Sequence, residues 1–231
     1  MNEQKLSKRL AAVANHVPKK ARLADIGTDH AYLPVNLVLN GKIDYAIASD
    51  VVKGPYESAV EQIKKSGVED KVHARLASGL DGLRDSDKID AITICGMGGA
   101  LIAEILRDGY ASKHLKGTER LILQPNVSSK NIREWLMYHH YELVTEEILE
   151  ENEKIYEILV AQKGKMSLTD EELLFGPFLM KEKHPAFRQK WQAEFEKNKY
   201  VIKQLKSATV IQHDKIAEFE ELNRKIQEVL A

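Results

Sequence analysis

Along the first 160 or so residues, short apolar runs alternate with amphipathic stretches of helical period. Strands are predicted at 22–26, 45–49, 72–77, 89–95 and 120–124. Helices are predicted at 31–39, 55–65, 98–107 and 129–138, with Pro34 tolerable in a first turn and Ser128 as the N-cap of the last. Two further strands, 141–148 and 155–162, are separated only by the polar turn 151–153, so they should pair antiparallel. Strands alternating with helices at this spacing predict a parallel, doubly wound sheet. Beyond Gly164 the pattern changes. Gly176-Pro177 and His184-Pro185 break the chain, and apolar residues then recur at Phe187, Trp191, Phe195, Ile202 and Leu205, and at Ile216, Phe219, Leu222, Ile226 and Val229. These spacings predict a helical hairpin with coiled-coil-like packing, turning within 207–214, its seam interrupted by Thr209, Gln212 and Asn223. The expected division is an α/β domain at 1–164 and a helical domain at 165–231.

Composition narrows the class. With 43% hydrophobic and 30% charged residues, the chain can build a substantial core under a solvated surface. The longest run without a charge, 91–103, is too short to span a bilayer, and no apolar leader precedes the first charges. The single cysteine, Cys95, cannot form an internal disulfide, which suits a reducing, cytoplasmic setting. A net charge of -1 excludes a wholesale polycation but not local patches. Residues 1–22 hold six basic side chains (Lys5, Lys8, Arg9, Lys19, Lys20, Arg22) against Glu3, and residues 181–206 hold eight against three acids. Residues 142–157 go the other way, with seven glutamates against Lys154. Two basic clusters on a neutral chain make a polyanion surface worth testing.

In a doubly wound sheet, ligands bind beyond the carboxyl ends of the strands, where strand order reverses. That rule selects the turn Asp25-Ile26-Gly27-Thr28-Asp29-His30, where Gly27 admits close approach of a ligand. Asp50 ends the second strand, placed to accept both hydroxyls of a ribose. The next strands end in Ser78-Gly79-Leu80, Cys95-Gly96-Met97-Gly98-Gly99 and Gln124-Pro125-Asn126. A dinucleotide site fails on its own fingerprint, because Asp29 stands where the second glycine should be and Leu101 spoils the other glycine run. No Walker loop is present. A nucleoside ligand with a ribose and a carboxylate, but no pyrophosphate, is left, and S-adenosylmethionine fits. Cys95 could serve the covalent attack of cytosine-C5 methyltransferases, but it lacks a preceding proline and a partner acid; a small buried strand-end residue is the preferred reading. No Asn-Pro-Pro-aromatic tetrapeptide occurs, and no His or carboxylate cluster has metal-ligand spacing.

The segments Ala24-Asp25-Ile26-Gly27-Thr28-Asp29-His30-Ala31-Tyr32-Leu33-Pro34, Ser49-Asp50-Val51 with Gly54-Pro55, Ser78-Gly79-Leu80, Gly96-Met97-Gly98-Gly99 and Gln124-Pro125-Asn126 resemble the TrmK family of bacterial tRNA methyltransferases. The resemblance covers nearly the whole chain. It implies a class I Rossmann-like methyltransferase sheet, mostly parallel with an antiparallel terminal hairpin, followed by a helical coiled-coil appendage. It implies transfer of a methyl group from S-adenosylmethionine to N1 of adenine 22 in tRNA, by a monomer or weak homodimer without metal. Cofactor contacts are then expected at Asp25, Gly27, Thr28, His30, Asp50, Val51, Ser78, Gly79, Leu80 and Gly96. Asp29, Met97 and Asn126 are expected at the reacting end, with Asp29 either balancing charge on the base or capping the next helix. Lys190, Lys197, Lys199, Lys203 and Lys206 are expected on tRNA phosphates. The competing reading is a small-molecule methyltransferase whose C-terminal hairpin serves oligomerisation.

Overall fold

The computed structural model describes residues 3–208, 210 and 212–231. Five strands, β1 (Arg22–Ile26), β2 (Tyr45–Asp50), β3 (Val72–Leu76), β4 (Ala91–Gly98) and β5 (Arg120–Val127), lie parallel. β6 (Tyr141–Glu151) and β7 (Lys154–Lys163) form an antiparallel hairpin, and β7 inserts beside β5. The order across the sheet is β3-β2-β1-β4-β5-β7-β6, so it reverses between β1 and β4. Leu23, Ala24, Ile92, Ile94 and Leu121 are fully buried there, as strands covered on both faces require.

One face carries α1 (Lys8–His16), α2 (Tyr32–Leu39) and α3 (Lys53–Lys65), whose Val13, Leu33, Val35 and Ile63 pack on Ala46 and Ile122. The other carries α4 (Gly99–Ala111) and α5 (Ser129–Tyr138), whose Ile102, Leu106, Ile132 and Leu136 pack on Ile92, Ile94 and Leu123. The predicted strands all form, but β4 and β5 run further than their apolar cores. They carry Met97 and Asn126 inside the sheet, with register shifts at Cys95, Met97 and Gly98. Ser128 does stand before α5, but in a left-handed conformation (φ 60°) and without a side-chain capping bond, so it is not the cap its residue type predicted.

The segment 165–184 is more ordered than its breakers suggested. α6 (Asp170–Phe175) starts from a Thr169–Glu172 capping box, and α7 (Pro177–Glu182) starts on a proline that needs no N–H. α8 (Pro185–Lys206) and α9 (His213–Leu230) form the predicted antiparallel hairpin. Asn223 does not break its seam, because it is buried against Asn198, whose Nδ2 donates to Asn223 Oδ1 at 3.0 Å. Thr209 lies outside the described residues. Phe175, Leu179, Phe187, Trp191, Ile226 and Val229 close a third apolar cluster on Ile148 of β6. Beneath it, the buried Arg133 of α5 donates to Glu146 (2.7 Å), to Glu157 (2.9 Å) and to the Leu173 carbonyl (3.2 Å). Lys190 of α8 bonds the other oxygen of Glu157. Among the described residues, no helix is long and apolar enough to cross a membrane.

Candidate active site

The carboxyl ends of β1, β2 and β4 and the loop after β3 meet at the point of reversal. Gly27 follows β1 with φ +71°, and the N–H groups of Gly27 and Thr28 donate to the Ser49 carbonyl at 2.8 and 3.0 Å. A Cβ on Gly27 would lie 1.9 Å from Met97 Cε, so a side chain here would strain the left-handed turn and push aside the flexible end of Met97. Met97 reaches Gly27 because the β4 bulge turns its side chain over the β1 end. It partitions the crevice into two chambers that share Gly27 and Met97.

The first chamber, of about 310 Å³, is mainly apolar, walled by Ile26, Val51, Val52, Leu101 and Ile105, with Asp50, Ser78 and Gly79 at its rim. Asp50 Oδ1 accepts the Val52 N–H at 2.7 Å, which orients the carboxylate. Leu80 departs from expectation. It is 1% exposed and packs in the core against Gly109, lining neither chamber.

The second chamber, of about 370 Å³, is polar and lined by Arg9, Asp25, Thr28, Asp29, Cys95 and Gly96. Asp25 is buried, and its Oδ1 accepts the Thr93 hydroxyl at 2.6 Å. Burial pushes its carboxyl up to about 6 even though hydrogen bonds from Thr93 and Thr28 and the charge of Arg9 pull it down. Burial likewise drives the Cys95 thiol far above its ordinary value, with the Asp25 charge adding to it. Such a thiol is a poor nucleophile at neutral pH. Asp29 faces solvent and this chamber. The alternative of a helix cap is not realised, because Ala31 stands at the N-cap of α2 and no side-chain capping bond is made there. His30, held at φ +59°, lines neither chamber: its Nε2 lies 3.4 Å from Asp29 Oδ1, and its ring stacks on Tyr32 at 5.2 Å, in a separate depression with Ser58, Glu61 and Lys65.

Asn126 borders a third depression, of about 380 Å³, with Lys154, Ile155 and Tyr156. Its Nδ2 donates to the Gly96 carbonyl at 2.7 Å, while Gln124 Oε1 accepts the Gly96 N–H at 3.0 Å. These two side chains of β5 fix the β4 bulge between them. Arg9 of α1 bonds the same Gln124 oxygen, and its guanidinium carbon lies 5.4 Å from the Tyr156 ring centre. Arg9, Thr93 and Tyr156 carried no signal in the pattern of strand ends. Arg9 stood out only as one charge in a basic cluster. Of the five hairpin lysines, Lys190 is committed to the buried Glu157, whereas Lys197, Lys199 and Lys206 pair with Glu194, Glu196 and Glu220. Only Lys203 of the five has no ion pair among the described residues.

Residues 23–231 match a family model described as tRNA (adenine(22)-N(1))-methyltransferase. The chain is 46% identical over 221 residues to the Bacillus subtilis (strain 168) protein of that name, covering 93% of this chain and 92% of that one. It superposes with a TM-score of 0.90 and 44% identity on a Streptococcus pneumoniae protein solved in complex with S-adenosyl-L-methionine, over 98% of this chain and 100% of that one. M. capricolum TrmK, solved with S-adenosyl-homocysteine, gives a TM-score of 0.83 at 29% identity over 97% of each chain. With the sheet order, the divided crevice and this coverage in agreement, the chain belongs to the tRNA (adenine(22)-N1)-methyltransferase family.

Proposed function

We propose that the divided crevice positions S-adenosylmethionine across Met97 and Gly27, and that the protein methylates N1 of adenine 22 of tRNA by direct transfer. The observation that carries this reading is the pair of chambers of opposite polarity joined over Gly27. The apolar slot with an oriented Asp50 suits an adenosine, and the polar chamber suits a charged amino-acid tail. The donor set therefore fits the cofactor, which when bound supplies an electrophilic methyl on a sulfonium.

The residues of the chain have a limited task. Adenine N1 already carries an in-plane lone pair, so neither a covalent intermediate nor a general base is needed to generate the nucleophile. What the protein must supply is alignment, exclusion of water and a tolerant field for the charge that appears on the ring. Met97 walls off the reacting end from the nucleoside slot. Asn126, its amide fixed on the Gly96 carbonyl, keeps acceptor capacity for the exocyclic amine of the base. Tyr156, beside it in the third depression, offers a face for stacking an extruded base. Asp29, with its carboxylate at the chamber mouth, balances the charge on the methylated ring. The basic face of α8 is read as a tRNA contact, and residues 165–231 as the appendage that presents it. The site of action is the cytoplasm, where the protein works as a monomer or weak homodimer.

The direct test is primer extension on tRNA incubated with the protein and S-adenosylmethionine, because N1-methyladenine blocks the pairing edge. A new stop at position 22 is expected. Full methyl incorporation without that stop would move the target elsewhere. Within the site, Asp50→Ala should weaken the cofactor by at least about tenfold, roughly 1.4 kcal/mol, because two ribose hydroxyls lose a charged acceptor. Calorimetry on the folded variant reads this, and wild-type affinity would reduce Asp50 to a turn residue.

A further inference from the structure

A further basic surface lies at the end of the sheet away from the crevice, where β4 and β5 begin. There the segment 112–119, between α4 and β5, walls a cavity of about 270 Å³. Arg84, Asp85, Lys88, His114, Lys116 and Glu119 edge this cavity, with Leu83 and Ile89 as its apolar part. Its acids are already engaged. Asp85 pairs with Lys116 at 2.7 Å, and the buried Glu119 carboxylate accepts the N–H groups of Lys116, Gly117 and Thr118 at 2.9, 2.8 and 3.0 Å. Arg84 and Lys88 are exposed and have no ion pair among the described residues.

The same segment touches a group of rings. A Cβ on Gly117 would meet Lys163 Cδ at 3.4 Å, and Lys163 Nζ lies 4.7 Å from the Tyr141 ring centre and 5.4 Å from that of Tyr110. Nζ also donates to the His139 carbonyl at 3.0 Å. The His139 ring lies flat on Trp135 at 4.4 Å, and Tyr110 and Tyr138 stand edge-on to it at 4.8 and 5.1 Å. Burial, with the charges of Lys163 and His140, lowers the His139 pKa below its ordinary value, so the ring is neutral at pH 7. Tyr110 is 42% exposed and Tyr138 80%. A tyrosine as open as Tyr138 gives the core little of its apolar surface.

Unpaired cations beside exposed rings suit a single-stranded nucleic acid, whose phosphates take the charges and whose bases take the ring faces. A protein partner would instead favour a continuous apolar patch, whereas these rings are flanked by Lys113 and Lys163, which have no ion pair among the described residues. We infer that this end of the sheet is a second RNA contact, holding an unpaired segment of the tRNA with phosphates at Arg84 and Lys88 and a base on Tyr138. The inference rests on the tRNA reading above. β5 crosses the sheet in eight residues, about 25 Å, so the contact falls on a part of the tRNA away from the base being methylated.

The test separates binding from chemistry. Wild-type protein, Tyr138→Ala, Tyr138→Phe and the double variant Arg84→Gln with Lys88→Gln are titrated with full-length tRNA over a range of salt. The same proteins are titrated with S-adenosylhomocysteine by calorimetry. Tyr138→Ala should weaken tRNA binding by about tenfold, while Tyr138→Phe, which keeps the ring face, should retain wild-type affinity. The double variant should flatten the log–log salt slope by about 1.4, the value for two single-strand phosphate contacts. Affinity for S-adenosylhomocysteine and kcat at saturating tRNA should not change. All three side chains are exposed, so the variants should melt as the wild type does. Wild-type tRNA affinity and slope in Tyr138→Ala and the double variant would overturn the inference. Conversion of a wild-type dimer to monomers by Tyr138→Ala, with tRNA affinity unchanged, would overturn it in favour of a contact between copies of the chain. Wild-type protein that neither binds nor methylates tRNA would remove the tRNA reading itself, a result that needs no variant.

Discussion

Burial at Asp25 has a consequence that can be measured in solution. Its carboxyl titrates near 6 rather than near 3.8, mainly because burial penalises the anion. A carboxylate with a raised folded value contributes stability that is fully present below the unfolded value and lost as pH rises through about 6. The apoprotein should therefore lose stability between about pH 4 and pH 7, by at most about 3 kcal/mol for a two-unit shift. Asp25→Asn should be flatter and more stable at pH 8, since its amide oxygen can still accept from Thr93; equal slopes by thermal denaturation would refute this. Cofactor affinity should run the opposite way, rising with pH through the same window, because a cationic ligand favours the ionised acid. Cys95 in the same chamber invites a different expectation. Its thiol is held protonated, and N1 transfer has no use for a thiolate, so Cys95→Ser should retain most single-turnover activity. Complete loss with cofactor affinity intact would revive a covalent route.

At the scale of elements, what could be read from the chain followed from how strongly each segment's chemistry was periodic. Strands β1, β2, β4 and β5 are mainly apolar and buried, with Asp25, Ser49, Thr93 and Gln124 among their polar exceptions, and Gly27, Asp50, Gly96 and Asn126 stand at or beside their ends. Sheet order was accessible only through the general rule for doubly wound folds. α1 escaped notice because its buried positions are Ala12, Val13 and Ala14, a weak apolar stripe between charges. With α1 went Arg9, and Tyr156 was hidden because it is half-buried near the start of β7, before the strand's fully buried stretch. The side-chain directions of Leu80 and His30 were equally out of reach, since adjacency to a strand end does not say which way a residue points. The hairpin lysines divide for a physical reason as well. Lys197 and Lys199 make exposed pairs within one helix, contributing only about 0–1 kcal/mol, so a phosphate can displace their glutamates. Lys190 cannot leave Glu157 without leaving that buried carboxylate to Arg133 alone. Neutralising Lys197, Lys199, Lys203 and Lys206 should flatten the log–log salt dependence of tRNA binding by close to one unit for each phosphate no longer neutralised. Lys190→Ala should instead lower the melting temperature with the slope preserved. The reverse assignment, a preserved slope for the four and a changed slope for Lys190, would place the RNA on another face.

Across the whole molecule, the α/β sheet and the C-terminal helices are joined around a single buried cation. Arg133 from α5 meets Glu146 of β6, Glu157 of β7, and the Leu173 and Leu174 carbonyls that end α6. Glu146 also accepts the Phe178 N–H at 3.0 Å. Burial disfavours both acids, but the charges of Lys190 and Arg133 prevail at Glu157 and hold it down at about 2, while Glu146 stays raised. The contribution of Glu157 is thus present above its ordinary range and is lost as pH falls toward 2. Replacing Arg133 by alanine would leave two acids buried around a cavity with one remaining cation. Breaking a buried pair in this way costs about 3–5 kcal/mol. The cost should fall unevenly, because Arg133 touches none of the strand ends that form the cofactor crevice. In Arg133→Ala, hydrogen exchange should accelerate first in α6, α7, α8 and α9, with β1, β2 and β4 protected and cofactor affinity retained. Activity on tRNA should fall further than cofactor binding, since the helices that carry the basic face would no longer be anchored to the site. Uniform loss of protection across sheet and hairpin would show instead that the two parts unfold as one unit, and that Arg133 stabilises the whole rather than the junction.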